Sequence, residues 1–119
     1  MADKIYSMFG QMLLTAKKYG LALEMYSKLR NCAHTHRDVI SKMYALRQMA
    51  HCFAKLEKYE DGIICLKYML QIAWTCQSTE AEMAAYEGLA RMHLYRGEVE
   101  KVRFYDARVT SGVYEAENT

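Results

Sequence analysis

Apolar and polar residues follow one another along this chain with the period of amphipathic α-helices. The first apolar stripe, at positions i, i+3, i+4 and i+7, consists of Tyr6, Phe9, Gly10 and Leu13. A second stripe with helical spacing, a few residues further on, consists of Ala22, Tyr26 and Leu29. Because residues at these spacings share one side of a helix, the pattern predicts a helix, a tight turn and a second helix.

The same pattern returns when the chain is shifted against itself by forty residues. Gly10, Ala50 and Ala90 then coincide, so each unit has a small residue where two helices can approach closely. The other aligned columns are Tyr6/Leu46/Tyr86, Phe9/Met49/Leu89, Leu13/Phe53/His93, Tyr19/Tyr59/Val99, Ala22/Gly62/Val102, Tyr26/Leu66/Asp106 and Leu29/Met69/Val109. The repeats, at about 3–36, 37–77 and 78–112, form a single domain over 1–112. They predict helices at about 3–16, 19–33, 38–55, 59–76, 80–96 and 98–112.

Polar residues and glycine mark the ends of these helices. The residues that suit capping are Asp38 or Thr35 before the third helix, Thr79 with Glu82 as a capping box, and Gly97 as a left-handed C-terminal cap. Residues 113–119 have too little apolar content to extend the last helix. We therefore predict a disordered tail there.

The order of residues within each unit resembles the tetratricopeptide repeat (TPR). The middle unit carries the motif as Leu46, Met49, Ala50, Phe53, Tyr59, Gly62, Leu66 and Met69. The third unit departs from it most, at His93, Asp106 and Val109, and no unit ends in proline. The repeat length of forty instead of thirty-four predicts helices that are about three residues longer each. Over residues 4–112 the chain is similar to the long-helix TPR arrays of scaffold and adaptor proteins, such as kinesin light chains and mitotic-spindle orientation adaptors.

This resemblance implies an all-α, right-handed superhelix of three antiparallel helix hairpins, with the first helix of each hairpin lining a concave groove. It also implies a non-enzymatic adaptor or scaffold that binds a partner protein. The candidate partner-binding residues are Lys4, Gln11, Tyr44, Arg47, Gln48, His51, Lys55, Glu87, Arg91 and Tyr95, and Ser7, Leu14, Ala84 and Leu94 complete this face. The mixture of cations, amides and tyrosines suits an extended or helical peptide with acidic character. The alternative interpretation is a solvated helix face.

Composition and charge narrow the classes of partner. The chain has 119 residues, 52% of them hydrophobic, which fits one globular domain. Sixteen Lys and Arg residues against fourteen Asp and Glu residues give a net charge of +2, less than a dedicated nucleic-acid binder normally carries. No apolar run is long enough to span a membrane. We therefore expect a cytoplasmic protein without nucleic-acid or membrane partners.

Residues that could carry chemistry are few, and their spacing does not favour a catalytic or metal site. Cys32, His34 and His36 lie close together, but a zinc site needs a fourth ligand, so we interpret them as a polar loop. His51 and Cys52 are adjacent and project about 100° apart on a helix, which does not suit a nucleophile and its base. His93 occupies a packing column, which predicts a buried histidine. The sequence thus predicts no enzyme, no metal and no cofactor.

The ends of the array offer a different function. The last helix carries Val99, Val102, Phe104, Tyr105 and Val109, more apolar residues than an uncovered helix normally has. The alternative hypothesis is therefore a structural subunit that associates with itself through a solenoid end, for example as a homodimer, or a fragment of a longer array.

Overall fold

Six antiparallel helices follow one another in the computed structural model, which describes the backbone of residues 2–118 and the side chains of 2–111. The helices are α1 (Ala2–Thr15), α2 (Tyr19–Thr35), α3 (Val39–Lys55), α4 (Tyr59–Cys76), α5 (Thr79–Tyr95) and α6 (Val99–Asn118). The first five begin and end within about two residues of the predicted bounds. The backbone of α6 is helical to Asn118, beyond the predicted end at about residue 112. Because the side chains from 112 onward lie outside the described residues, the disordered tail at 113–119 stays a prediction.

Each helix packs against the next in the chain, and the first helices of the second and third hairpins, α3 and α5, also touch. The aligned small residues Gly10, Ala50 and Ala90 are all buried, which confirms that they lie at equivalent points of successive hairpins. The core consists of buried residues of α2, α3, α4 and α5. Partly buried residues of the two end helices, Tyr6, Leu13 and Leu14 of α1 and Tyr105 and Val109 of α6, pack against it. Among the described residues, no helix is long and apolar enough to cross a bilayer.

The five turns between the helices share one backbone geometry and follow one another every twenty residues. Each contains one residue with a left-handed backbone: Lys17, Arg37, Glu57, Gln77 and Gly97, with φ of 59°, 54°, 60°, 56° and 73°. In the first turn, the backbone N–H of Lys17 donates to the Leu14 carbonyl at 2.9 Å and that of Lys18 donates to the Leu13 carbonyl at 2.8 Å. These bonds satisfy carbonyls that the end of a helix leaves unpaired. The expected left-handed cap at Gly97 is thus confirmed, and four further turns adopt it without glycine.

Replacing Gln77 by glycine should stabilise the protein by about 0.5–1 kcal/mol, because a left-handed backbone strains every residue that has a Cβ. The free energy of unfolding from urea titration, followed by circular dichroism, measures the effect. The matched control is Gln71→Gly at an exposed position inside α4, where the same change should destabilise by about 1 kcal/mol. Equal signs for the two variants would contradict the prediction.

One predicted N-terminal cap is confirmed, and another is wrong by one residue. Asp38 caps α3 as predicted, and its carboxylate accepts hydrogen bonds from the Ser41 N–H at 3.1 Å and the Ser41 hydroxyl at 2.8 Å. These bonds hold the pKa of Asp38 below its usual value. The capping box at Thr79 is wrong by one residue, because Ser78 caps α5 and accepts from the Ala81 N–H at 3.3 Å. Thr79 is already helical, since the preceding turn uses only Gln77 and Ser78.

In its described part, the last helix exposes fewer apolar side chains than the sequence indicates. Val102, Tyr105 and Val109 are half-buried, and the helix packs against α5 of the same hairpin. Val99 and Phe104 remain exposed, and the guanidinium of Arg108 lies 4.8 Å from the centre of the Phe104 ring. Among the described side chains of this helix, the expected apolar surface is therefore reduced to two.

Candidate functional site

A concave groove of about 900 Å³ runs across the first helices of the three hairpins, α1, α3 and α5. The predicted residues that line it are Gln11, Arg47, Gln48, His51, Lys55, Glu87, Arg91 and Tyr95. Lys4 and Tyr44 do not line it. The structure therefore brings together most of the side chains that the repeat register assigns to this face.

Tyr44 instead lies where α1 meets α3. Its ring meets the ring of Tyr26 edge to face at 6.0 Å. The hydroxyl of Tyr26 donates to Gln11 Oε1 at 3.3 Å, and the hydroxyl of Tyr44 donates to the same oxygen at 3.5 Å. The two tyrosines thus orient the amide of Gln11 at the edge of the groove.

Several lining residues were not among the candidates. They are Thr15, Ala50, Ala54, Glu57, Tyr59, Leu66, Gly88 and Met92. Leu66 and Met92 are core residues, only 2% and 4% exposed, at the bottom of the groove, and Leu66 lies against Gly88, which carries no side chain. A Cβ at Gly88 would lie 2.9 Å from Leu66 Cδ2, so the missing side chain opens the floor of the groove to an apolar residue. The sequence signal for this opening is Gly88 itself, a glycine inside a helix at the position that Met8 and Gln48 occupy in the other units.

The groove has more cations than anions. Arg47, Lys55 and Arg91 face Glu57 and Glu87 around it. Among residues 2–111, all ion pairs involve Glu98, which lies outside the groove, so none of these three cations is paired within 4.0 Å. Unpaired guanidinium and ammonium groups on a concave surface are donors for carboxylates or other anions.

His51 lies among these cations on the wall of the groove and, although its side chain is solvent-exposed, is partly desolvated there. Burial lowers its pKa, and the nearby charges of Lys55 and Arg91 lower it further. Its ring meets that of Tyr19 edge to face at 6.4 Å. His51 is consequently neutral at pH 7 and adds a polar ring rather than a fourth charge to the groove.

Aromatic side chains form the wall of the groove on the side of the third hairpin. The rings of Tyr59 and Tyr95 lie 5.5 Å apart in a tilted arrangement, and Tyr95 is 52% exposed. Tyrosine at such a position offers an apolar ring and a hydroxyl to a ligand. The groove therefore combines unpaired cations, amides and exposed aromatic surface.

The other residues considered for chemistry lie apart from the groove. His34 Nδ1 lies 2.9 Å from Lys42 Nζ, and His36 follows the end of α2. No three His, Cys, Asp or Glu side chains of the described part of the chain come together as a metal-binding group. Cys52 is fully buried, and burial raises the pKa of its thiol to about 11, so it is protonated at neutral pH.

His93 is buried, as its packing column predicts. It is 4% exposed, its ring stacks on Tyr105 at 5.6 Å, and its Nδ1 lies 3.2 Å from Glu98 Oε1. That hydrogen bond is the main reason why the pKa of Glu98 is lowered, with Lys101 and Arg96 adding to it. The histidine thus joins α5 to the start of α6.

Comparison with known proteins rests on the structure. No protein-family model matches the chain, and no curated protein matches it significantly. Its fold is similar to the crystal structure of the TPR domain of Arabidopsis FLU, with a TM-score of 0.86 over 99% of this chain and 97% of that one. The two chains are 16% identical, so the similarity establishes the fold and not the ligand. The chain thus has the TPR-like, all-α fold that its forty-residue repeat predicts.

Proposed function

We propose that the protein is a non-enzymatic adaptor whose concave groove binds a carboxylate-bearing peptide segment of a partner protein. The observation that carries this proposal is the convergence of three unpaired cations, Arg47, Lys55 and Arg91, on a groove of about 900 Å³. Cations that have no ion-pair partner among the described residues gain charge-assisted hydrogen bonds when a carboxylate binds.

The rest of the groove favours a peptide over a small anion. It extends across three hairpins, and the ring of Tyr95, which is 52% exposed, supplies apolar contact beside the polar residues. An extended or helical segment places side chains at intervals that such a surface can accept. The adaptor would act within a larger cytoplasmic assembly, with no cofactor and no nucleic acid.

Exchanging Arg47 or Arg91 for glutamate should weaken binding of an acidic peptide by about tenfold or more in each case, since each change removes a donor and adds repulsion. The probe is an array of ten-residue peptides that each carry several Asp or Glu residues. Fluorescence anisotropy of the peptides that bind then measures the dissociation constants at two salt concentrations.

One control changes the protein outside the groove, and the other changes the peptide. Arg103→Glu makes the same change of charge at an exposed residue of α6 outside the groove and should leave binding unchanged. Peptides in which Gln replaces Glu should lose affinity for the wild-type protein. The proposal fails if no acidic peptide binds, or if Arg103→Glu weakens binding as much as Arg47→Glu.

The competing function is a structural subunit that associates through a solenoid end while the groove stays empty. The observation that favours it is a row of exposed apolar side chains on α1. In that case, Arg47→Glu and Arg91→Glu would leave the function of the protein intact.

A further inference from the structure

The first helix has an apolar face that no other described residue covers. Its members, with their exposed fractions, are Ile5 (47%), Met8 (55%), Phe9 (45%) and Met12 (59%). They lie at i, i+3, i+4 and i+7, so they form one continuous row along α1, which we call the α1 face. Of all the residues of α1, Gly10 alone is fully buried.

The repeat shows that three positions of this row, those of Ile5, Phe9 and Met12, correspond to a packing surface. Met8 aligns instead with Gln48 and Gly88, which line the groove. Forty residues later, the columns of Ile5, Phe9 and Met12 hold Ala45, Met49 and Cys52, which are 0%, 5% and 0% exposed. In the third unit the same columns hold Ala85, Leu89 and Met92, at 0%, 0% and 4%.

These columns are buried because the second helix of the preceding hairpin lies against them. A Cβ on Gly62 of α4, for example, would lie 3.0 Å from Met92 Cε in α5. On α1 the same columns are apolar, and in the described structure no helix occupies that place. The α1 face is therefore a helix-packing surface without its helix.

We propose that the α1 face binds the α1 face of a second copy of the chain, so that two molecules form a dimer about a two-fold axis. This inference goes beyond peptide binding and does not rest on it, because the groove residues Arg47 and Arg91 are not part of the face.

Charge favours pairing of α1 with itself. From Ile5 to Thr15 the helix has no charged residue, so a symmetric contact desolvates no ion. The spacing of Ile5, Met8 and Met12 is that of the a, d and a positions of a helix-pairing seam. Unbranched methionine side chains at two of these positions adapt to the partner helix. Two α1–α2 hairpins that meet in this way form a four-helix arrangement.

The described side chains of α6, at the opposite end of the molecule, fit the α1 face less well than a second α1 does. Three buried columns of α4 hold Ile63, Leu66 and Leu70, each less than one-tenth exposed. The residues that α6 carries in these columns are Arg103, Asp106 and Thr110, all exposed. Burying Arg103 and Asp106 against Phe9 and its neighbours would desolvate two charged groups, which disfavours a head-to-tail chain of molecules.

The size of the face fits a reversible dimer. Four side chains of this size at about half exposure leave roughly 400 Å² of apolar surface on each molecule. Two faces with their polar borders then bury on the order of 1,000 Å² in total, near the lower limit of specific interfaces. The dimer should accordingly dissociate on dilution.

Sedimentation equilibrium of the full chain from about 1 µM to about 500 µM tests the proposal. The mass of the wild-type protein should rise from 13.8 kDa toward twice that value. Met8→Glu combined with Met12→Glu should hold the mass at 13.8 kDa at every concentration, with an unchanged far-ultraviolet circular dichroism spectrum. Met8→Gln combined with Met12→Gln keeps good helix formers without adding charge and should weaken association.

The matched control is Ile64→Glu with Tyr68→Glu, which adds the same charges at i and i+4 on the outer side of α4. These two residues are 49% and 57% exposed, and the variant should dimerise like the wild type. Arg47→Glu should also dimerise, which separates this proposal from peptide binding. A wild-type mass of 13.8 kDa throughout, association that survives the Met8 and Met12 changes, or monomers that bind vesicles of anionic phospholipid through α1 would each overturn the proposal.

Discussion

Leu89→Ala should lower the free energy of unfolding by about 3 kcal/mol, the largest loss that we expect from one substitution. Leu89 is 0% exposed and belongs to α5, which packs against α4, α6 and α3. Removing its branched end leaves a cavity that the close-packed helices cannot fill by relaxing. Urea titration at a concentration at which the chain is monomeric, with circular dichroism as the readout, measures the loss.

Phe9→Ala is the control within the same column of the repeat. Phenylalanine is the larger side chain, but Phe9 is 45% exposed, so its removal should cost only about 1 kcal/mol. A cost for Phe9→Ala that equals or exceeds that of Leu89→Ala would show that α1 is covered in the monomer, contrary to the structure.

Gly10→Ala should destabilise the protein by about 2 kcal/mol, although alanine is the better helix former. A Cβ at residue 10 would lie 2.7 Å from Cζ of Tyr26 and 2.9 Å from its Cε2. Tyr26 cannot move aside easily, because it is 0% exposed and its hydroxyl donates to Gln11. The same unfolding titration measures the loss.

Two further variants test the reason for that loss. Gly20→Ala in α2 has no atom within 4 Å of the new methyl group and should stabilise the protein by about 0.5–1 kcal/mol. In a chain that also carries Tyr26→Leu, Gly10→Ala should no longer destabilise, because the ring that it meets is gone. An equal loss with and without Tyr26→Leu would refute the contact as the cause.

The helices and their order could be predicted from the sequence because their signals are local. Stripes at i, i+3, i+4 and i+7 mark the buried sides, and the shift of forty residues identifies the hairpins. The backbone conformation of the turns was harder to predict from the sequence. Lys17, Arg37, Glu57 and Gln77 are not residues that indicate a left-handed backbone. Hydrogen bonds to the end of the preceding helix impose that backbone, and they are a property of the turn as a whole.

The groove could be predicted in part. The register placed Arg47, His51 and Arg91 on its wall, since each first helix turns the same columns toward it. It missed Leu66, because this core residue reaches the bottom of the groove only where Gly88 carries no side chain. Tyr44 was assigned to the groove and lies elsewhere, because contacts with Tyr26 and Gln11 hold it between helices.

The sequence by itself determined the helical period, the three units and the small residues at their crossings, because these follow from spacing along the chain. Tertiary structure alone decided which apolar residues are covered. Phe9 and Leu89 hold the same column, yet one is 45% exposed and the other 0%, since burial depends on whether a neighbouring helix lies against that side. The same reason separates the two ends of the molecule. Among the described residues, α6 carries Arg103, Asp106 and Thr110 in columns that are buried in α4, whereas α1 carries Ile5, Phe9 and Met12 in columns that are buried in α3 and α5.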